Sequence, residues 1–486
     1  MRKKLFVLAV LALLILAVPA STVLAQGATS QTWTSSITYY TPSATGGTLQ
    51  VDYYANDGTK YSANPITLNP HKAGSLLIGG VSTVPDGFAG SAVLSSEVPI
   101  VATNVQFAAG AATPNYGRLL YSGFSEADAA AKFYVPTVLY HTGAKVTSRI
   151  GVQNVETFAI AAHLAFYAVG ATTPSATKDV NIPAQSSYIF WPTDVAGLPD
   201  PFNGSLVVTA TKQGDTGTPG RVVAASEETS DLGPQAYAFE GSAQGANKIY
   251  MASMMCQAGA ALQMSYYAIQ NVGTADASVT VTAYDTGGNV VGSTASPIVI
   301  AAGGKSSINP CTFGVPAGKL GSAVIESVGA PIIAIGKVQS TVNGMSTAFV
   351  GAAQGSTSVA APYVRWVADP TKDFRAYIAI MNVGTADATN VKVKYYDGNG
   401  AVAATDDLTS VARGGALKPL IKRNTDAATA GALNPTFGDF GFHPSGGAIE
   451  VTSDQPVVVV VRLQRNVSLG AVTLVAEDYN GTTITP

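Results

Sequence analysis

The fold is decided by residues 377–400, which read YIAIMNVGTADATNVKVKYYDGNG. From Val391 to Tyr396 apolar side chains alternate with lysines, a period of two that is typical of a strand with one buried face. The DGNG that follows supplies residues that tolerate positive φ, so it predicts a tight hairpin turn. Residues 446–464 of the same unit read GGAIEVTSDQPVVVVVRLQ. Their five consecutive valines predict a strand in the centre of a sheet.

The chain contains this unit four times, marked by three anchors that recur in one order. The tyrosines before the hairpin turn are Tyr54, Tyr167, Tyr284 and Tyr396, at intervals of 113, 117 and 112 residues. A Gly-Ser-Ala-like step into an apolar strand begins at Gly90, Gly204, Gly321 and Gly446. An Asn-Val step begins at Asn154, Asn271 and Asn382, and Thr41 or a neighbour takes that position in the first unit. A fixed period of this kind has to be recognised before a fold is assigned.

The number of strands in each unit predicts the fold class. About seven short strands in about 110 residues are typical of an immunoglobulin-like or fibronectin-III-like β-sandwich, and a propeller blade of about 40–50 residues is too short for this period. We therefore predict an all-β chain of four tandem sandwiches after a cleaved signal peptide. The predicted boundaries are 1–25 for the signal peptide and 26–129, 130–245, 246–355 and 356–486 for the first to fourth repeats, the last with a C-terminal tail.

Several finer expectations follow from the pattern. In the fourth repeat, Ala448–Thr452 and Val457–Val461 are predicted as two separate strands. No segment has helical periodicity of useful length, and Ser125–Lys132 is expected to form one helical turn at most. The segments between repeats are short and are not Gly/Ser-rich or Pro-rich tethers. They predict a string of domains with limited bending.

The first residues have the features of a secretory signal. Arg2, Lys3 and Lys4 form a basic region, Leu5–Val18 is apolar, and a small residue at Ala25 suits signal peptidase. A single-pass membrane anchor is the competing interpretation, but the apolar run is short for a span. We expect a secreted protein at the extracellular cell surface, with no membrane span after cleavage.

The composition excludes some classes of partner. Only 12% of the residues are charged, about half the usual share, and the formal net charge is −3. A basic patch that could release counterions from nucleic acid is missing from the sequence, so nucleic acid is not an expected partner. The hydrophobic share of 47% is too high for a disordered chain.

The two cysteines, Cys256 and Cys311, both lie in the third repeat. Export permits a disulfide, which we predict between them. Two separate buried thiols are the alternative.

A resemblance can be stated on the third repeat. Its segments YAIQNVG at 267–273, AYDTGGN at 283–289 and GSAVI at 321–325 resemble the tandem β-sandwich repeats of bacterial cell-surface proteins. The likeness covers essentially the whole mature chain, but its motifs are turn residues and strand starts. It implies an exported structural or adhesive role, and it carries no catalytic residues.

Residues that could carry chemistry are few. The histidines are His71, His141, His163 and His443, and they never occupy equivalent positions. Because a metal site or a Ser-His-Asp triad would need them to converge, we expect surface histidines, no enzyme activity and no cofactor. Residues 303–306, GGKS, end like a phosphate loop but lie between strands, so they predict a turn. Asn56-Asp57-Gly58, Asp285 with Asn289, and Asp397 with Asn399 offer one carboxylate per turn, which favours turn formation over Ca²⁺ binding.

Aromatic and asparagine residues give two further candidate sites. A sugar-stacking platform could be built from Trp33, Trp191, Trp366, Tyr39, Tyr40, Tyr53 and Tyr54, although aromatic residues on sandwich strands usually pack in the core. The N-glycosylation pattern occurs at Asn203, Asn466 and Asn480.

Secretion, uniform repeats and low charge together predict a non-enzymatic structural protein of the cell surface, such as a surface-layer, sheath or filament subunit. Its expected partners are copies of itself in a polymer or lattice, with cell-wall or surface polysaccharide as a further candidate. The alternative is an adhesin or an array of carbohydrate-binding modules. The second repeat, with Trp191 and an insertion at 212–219, is the expected place for a ligand.

The C-terminal tail suggests a mode of assembly. It resembles the start of a fifth repeat, while the first strand of the first repeat would fall largely inside the signal. The tail could therefore complete the first repeat of another molecule and propagate a fibre. Its residues are Asn480, Gly481, Thr482, Thr483, Ile484, Thr485 and Pro486.

Overall fold

The computed structural model describes residues 32–109, 117–340, 342–366, 371, 374–417, 446–469 and 472–484. Its regular elements are strands and four short 3-10 turns, Ile78–Gly80, Glu126–Asp128, Pro192–Asp194 and Pro310–Phe313. The predicted all-β class is confirmed, and Glu126–Asp128 lies where one helical turn was expected. The predicted signal peptide, His443, Thr485 and Pro486 lie outside the described residues.

The strands follow the sequence repeats. The first repeat has β1 Thr32–Tyr40, β2 Gly47–Ala55, β3 Lys60–Ser62, β4 Ile66–Leu68, β5 Ala73–Leu77, β6 Gly90–Ser96, β7 Val101–Ala109 and β8 Arg118–Ser122. The second has β9 Lys132–Tyr140, β10 Val146–Asn154, β11 Ile160–Ala168, β12 Ala176–Ile182, β13 Ser187–Phe190, β14 Phe202–Lys212, β15 Asp215–Pro219, β16 Val222–Ser230 and β17 Ala236–Glu240. The third has β18 Lys248–Cys256, β19 Met264–Asn271, β20 Ala277–Asp285, β21 Val290–Ser293, β22 Ile298–Ile300, β23 Lys305–Ile308, β24 Lys319–Val328, β25 Ile332–Gln339 and β26 Ser346–Val350. The fourth has β27 Ser356–Arg365, β28 Arg375–Asn382, β29 Val391–Tyr396, β30 Val402–Leu408, β31 Ala416–Leu417, β32 Gly446–Leu469, β33 Val472–Asn480 and β34 Thr482–Thr483.

Every described ladder is antiparallel, and the second and third repeats share one topology. In the second repeat, one sheet has the order β12-β11-β14-β9, with β15 also on β14, and the other has the order β13-β10-β16-β17. In the third repeat, β18-β24-β20 and β23-β19-β25-β26 correspond to them. In each repeat, the sheet that contains β8, β17, β26 or β33 is termed the inner sheet. The sheet that packs against it is termed the outer sheet.

The fourth repeat differs from its prediction in one element. Ala448–Thr452 and Val457–Val461 lie in a single strand, β32, and are not two separate strands. The first part of β32 pairs with β27 and β29, and the part from Val457 onward pairs with β28. In the third repeat, Gly329 has a φ of 95° between β24 and β25 and breaks the extended chain. No described residue of β32 has a positive φ, and its backbone stays extended from one sheet into the other.

The recurrent asparagine ties two loops to the inner sheet. The buried Asn271 amide donates to the carbonyls of Ala275 (2.7 Å) and Ile300 (2.8 Å), and its oxygen accepts from Gly273 N (2.9 Å). Asn154 and Asn382 repeat this pattern. In the first repeat Thr41 takes this position, because Thr41 N donates to Lys72 O as Asn271 N donates to Gly304 O.

Apolar side chains fill the space between the two sheets. In the second repeat Phe133, Phe166 and Phe190 are fully buried, and the last two meet edge to face at 6.1 Å. Each fully buried side chain of this size contributes roughly 1.5–3 kcal/mol to folding. The alternation read from the sequence therefore produces the core.

Cys256 at the end of β18 is bonded to Cys311 in the 3-10 turn Pro310–Phe313, as predicted. Their Cα atoms are 5.3 Å apart, within the range that a disulfide spans. The bond fixes the edge of the outer sheet to the turn that precedes β24.

Replacing both cysteines by serine is expected to lower the free energy of unfolding by about 2–4 kcal/mol, because the unfolded chain regains the entropy of an open loop. Urea unfolding of the oxidised protein and the variant measures this difference. Equal midpoints would show that the bond adds nothing to stability.

The four repeats contact one another in a closed cycle through their last strands. The Ser122 amide in β8 donates to the Glu240 carboxylate in β17, and Ala236 N in β17 donates to Ser346 Oγ in β26 at 2.7 Å. The Asn480 amide in β33 bonds to Val350 N and O in β26, at 3.0 and 2.8 Å. The cycle closes where Ser122 Oγ donates to Asn480 O at 3.1 Å.

This arrangement corrects the expected string of domains, because the fourth repeat packs against the first. The segments between repeats are short, as the sequence indicated. Each contact between neighbouring repeats, termed a joint, uses the same strands of the two repeats. A repeated heterologous contact gives a ring when its rotation closes, and here four repeats close it.

The C-terminal tail also differs from the expectation of a free donor strand. Thr482 and Thr483 pair with Ala360 and Val359 of β27, and Ile484 N donates to Ser358 O at 3.1 Å. Residues Ser242 and Ala352 make the corresponding contacts with the second and third repeats. The tail therefore continues the joint pattern within its own chain.

Candidate functional site

The tyrosine before each hairpin turn packs against the next repeat. Each repeat has a residue with positive φ two positions before one strand of its inner sheet, β5, β13, β23 or β31. These residues are His71 (52°), Gln185 (58°), Gly303 (75°) and Gly414 (75°). The hydroxyl of Tyr54 donates to Gln185, and the rings of Tyr167 and Tyr284 lie against Gly303 and Gly414. Tyr396 of the fourth repeat stacks on His71 of the first, with ring centroids 5.0 Å apart. The sequence marked these tyrosines only as hairpin residues, whereas they form the joints.

The serine of the Gly-Ser-Ala step belongs to the same contacts. Ser91 Oγ donates to Gln185 O (3.3 Å), Ser205 Oγ donates to Gly303 O (2.8 Å), and Ser322 Oγ donates to Gly414 O. In the fourth repeat Gly447 replaces the serine. Two of the three sequence anchors therefore mark contacts between repeats.

The joint between the fourth and first repeats holds a carboxylate in place of that serine. Glu450 accepts hydrogen bonds from Tyr40 (2.8 Å) and Tyr396 (2.9 Å), and His71 Nδ1 lies 3.4 Å from it. Burial, and then the nearby carboxylate, raise the pKa of Tyr40 well above its usual value. Tyr40 therefore remains a donor to Glu450 at all ordinary pH values.

Each joint also has its own polar pairing deep in the inner sheets. Glu227 of the second repeat binds Gln106 of the first and accepts from Arg149 Nε at 2.7 Å. Lys337 of the third repeat pairs with Glu228 of the second.

The other two joints use arginines. Arg462 of the fourth repeat bonds to Asp478 (2.8 and 2.6 Å) and reaches Gln263 of the third at 3.4 Å. Arg118 of the first repeat makes two bonds of 2.9 Å to Glu477 of the fourth, whose side chain is fully buried. None of these residues was predicted from the sequence to lie at a joint. Their signal was one equivalent position that carries Glu227, Lys337 and Arg462, each five residues after the partner of the recurrent asparagine. There a charged residue follows a run of small or apolar residues.

The lysine of the GGKS segment is buried at the joint between the second and third repeats. Gly303 lies in the turn before β23, but Lys305 and Ser306 already belong to that strand, so the predicted turn covers only the start of the segment. Lys305 Nζ donates to Thr137 Oγ1 at 2.9 Å, and the residue is 3% exposed. Burial, with the like charge of Lys337, lowers the pKa of Lys305 to about 7, against the opposing effect of Glu228. The amine therefore serves the joint and is not presented to a phosphate.

A hollow of about 370 Å³ lies on the outer sheet of the second repeat. His163 stands directly across from Asp179 of β12 on one side and from Thr209 of β14 on the other. Its Nδ1 lies 2.6 Å from Asp179 Oδ1. The neighbouring row places Ala161 between Asn181 and Thr211, so a small side chain forms the floor. The Asp179 side chain is 83% exposed, so the hollow is open to water and is not a deep cleft.

The other described histidines do not join this one. His141 binds Asp200 at 2.9 Å at another place in the second repeat, and His71 lies at the joint between the fourth and first repeats. No group of three or more His, Cys, Asp or Glu residues that could hold a metal ion occurs in the described part of the chain.

The aspartates of the hairpin turns bond to their own backbone. Asp57 Oδ1 accepts from Thr59 N at 2.9 Å, and Asp397 Oδ1 accepts from Asn399 N at 2.8 Å and Ala401 N at 3.0 Å. The backbone bond from Thr59 is the main cause that lowers the pKa of Asp57. Asp285 bonds to Gly287 N and Asn289 N in the same way. The turn-forming interpretation is confirmed.

The proposed aromatic platform is not on the surface. Tyr39, Tyr40, Tyr53, Tyr54 and Trp366 are all buried. Trp33 packs on Gly117, and Trp191 lies beside Arg149. This set therefore cannot present stacked rings to a sugar.

The three asparagines of the glycosylation pattern differ in exposure. Asn203 and Asn466 are exposed. The Asn480 amide is engaged by Val350 at the joint, so a glycan there would break that contact.

Comparison with known proteins gives little guidance. No protein-family model and no curated protein matches the chain. One solved structure, described as "Crystal Structure of Thermotoga maritima 1070", is similar at 17% identity with a TM-score of 0.20. The match covers 22% of this chain and 95% of that one. Among the described residues, no helix has the length and apolar character needed to cross a membrane.

Proposed function

We propose that this chain is a secreted, non-enzymatic structural protein of the cell surface, built from four immunoglobulin-like sandwiches closed into a ring. The closed cycle of contacts among β8, β17, β26 and β33 is the observation that supports it most. In this cycle the C-terminal residues Thr482 and Thr483 pair with β27 of the same chain. Assembly into a layer or filament therefore uses the outer sheets and not the C-terminal tail.

Electron microscopy of the exported protein tests this proposal. We expect discrete four-lobed particles, alone or as the unit of a lattice, and immunolabelling at the cell surface. Extended four-bead strings, or a protein retained inside the cell, would contradict it.

A second candidate function is an adhesin or carbohydrate-binding module array, favoured by the hollow beside His163. The histidine, asparagine and threonine side chains around a small floor suit a hydroxylated ligand. Calorimetric titration with cell-wall oligosaccharides, compared between the wild type and His163→Ala, tests it. Binding that is lost in the variant would support this function, and no binding to either protein would remove it.

A further inference from the structure

The outer sheet of the first repeat has a free edge among the described residues. In the other repeats the strand that starts at the Gly-Ser-Ala step has a partner on each side, and its outer partner is β9, β18 or β27. The equivalent strand of the first repeat, β6, pairs only with β2. One strand position is therefore unfilled in the part of the chain that the structure describes.

The backbone donors at this edge can be assigned from the filled repeats. Ala210 N donates to Ala131 O and Ser327 N donates to Asn247 O, both at 2.8 Å. Ala131 and Asn247 directly precede the first strands of the same repeats, β9 and β18. Ser96 lies the same six positions after its anchor glycine as Ala210 and Ser327 do. Alternate residues of a strand direct their N–H groups to the same side. The amides of Ala92, Leu94 and Ser96 therefore face the free edge.

The side chains beneath the edge are also incompletely covered. In the second repeat Leu206 and Val208 are fully buried, and their partners across the sheet are Val135 and Phe133 of β9. The equivalent residues of the first repeat, Ala92 and Leu94, are only partly buried. An occupant must therefore provide apolar side chains as well as backbone carbonyls.

We propose that the free edge of β6 docks an extended strand from another protein molecule, which binds antiparallel to β6 and inserts apolar side chains between the two sheets. The chain's own first strands define the chemistry of this partner: β9, β18 and β27 are apolar over most of their length. Pairing along a sheet edge supplies affinity through the main chain, and the pockets for alternate side chains supply specificity.

The described part of the C-terminal tail is already engaged within its own chain. Thr482 and Thr483 pair with β27, and Ile484 N is bonded to Ser358 O. The inference rests on the proposed export, because removal of the leader after Ala25 leaves only Gln26–Gln31 before β1. In the second repeat, the loop between the first strand β9 and the next strand β10 alone takes residues 141–145. A loop of that length would use almost all of Gln26–Gln31 and leave no room for a first strand.

Hydrogen exchange followed by mass spectrometry tests the proposal on the exported full chain, whose first residue is read from its intact mass. Exchange of residues 90–96 is compared with and without a synthetic peptide of residues 356–365, STSVAAPYVR. The control peptide carries aspartate at the positions of Val359 and Ala361. Residues 319–328 of β24, whose edge is filled by β18, are the internal reference.

We expect residues 90–96 to exchange fast in the free protein and to slow roughly tenfold or more with the peptide, while β24 stays protected throughout. The control peptide should have no effect. Fast exchange that the peptide leaves unchanged would overturn the docking site even if the leader has been removed. Protection without peptide in a monomer of higher mass would show that residues before Gln26 are retained and fill the edge, which would overturn both this inference and the leader cleavage.

Discussion

Replacing Glu477 by alanine is expected to lower the free energy of unfolding by about 3–5 kcal/mol, because the change leaves a buried charge without its partner. Arg118 crosses from the first repeat to the fourth, bonds Glu477 twice at 2.9 Å and stacks over Phe374 at 4.5 Å. Burial acts to lower the pKa of Arg118, but Glu477 and Tyr363 raise it above its usual value, so the guanidinium keeps its charge. Urea unfolding measures the loss, and small-angle scattering below the transition shows whether the ring opens.

A matched control is Glu326→Ala, which removes an exposed ion pair with Lys248. Exposed pairs contribute about 0–1 kcal/mol, so this variant should unfold close to the wild type. The double variant Arg118→Met, Glu477→Leu should recover most of the loss, because a buried pair replaced by apolar residues of similar size is often neutral. If Glu477→Ala costs no more than Glu326→Ala, the pair does not hold the first and fourth repeats together.

Replacing Lys305 by methionine is expected to stabilise the protein at pH 7 by roughly 3–5 kcal/mol, from the linkage between a lowered pKa and stability. The pKa of Lys305 falls from 10.5 to about 7 in the folded state. Between these values the unfolded chain binds a proton that the folded chain does not, so stability rises with pH. The destabilisation is present in full below pH 7 and disappears above the unfolded value.

The measurement is the urea midpoint of the wild type and the variant between pH 6 and pH 10. The gain in stability from the substitution should be largest at pH 6–7 and shrink as the pH rises. At every pH it is reduced by about 1 kcal/mol, because the variant lacks the hydrogen bond to Thr137. Lys248→Met, at an exposed lysine in the same repeat, should change little at any pH. A difference that does not depend on pH, or a variant less stable than the wild type at pH 7, would show that Lys305 is charged in the folded state.

The sequence predicted the all-β class and the turns because each depends on nearby residues or on a short-range pattern. The disulfide could be predicted because both cysteines of the sequence lie in one repeat. The alternation of 391–396 and the Asp397 turn are visible in a window of ten residues. The asparagine step was visible as a repeat, although its three hydrogen bonds were not.

Closure of the ring could not be predicted, since it depends on contacts that leave no local pattern. Arg118 and Glu477 are 359 positions apart, and nothing in either neighbourhood marks them as partners. The tyrosine anchors were misread for a related reason: a tyrosine before a turn looks like a hairpin residue until the next repeat is placed against it. The unbroken β32 was missed because Ser453-Asp454-Gln455-Pro456 has turn composition, yet the backbone there continues as a strand.

Small-angle X-ray scattering of the exported monomer tests the closed ring most directly. A compact body of its length has a radius of gyration of about 23 Å. Four sandwiches of about 35 Å each, joined end to end, would give about 40 Å. We predict a radius of gyration near about 23 Å for the wild type, and a larger value when Glu477 is replaced by alanine and the ring opens. A value near 40 Å for the wild type would contradict the closed cycle of repeats.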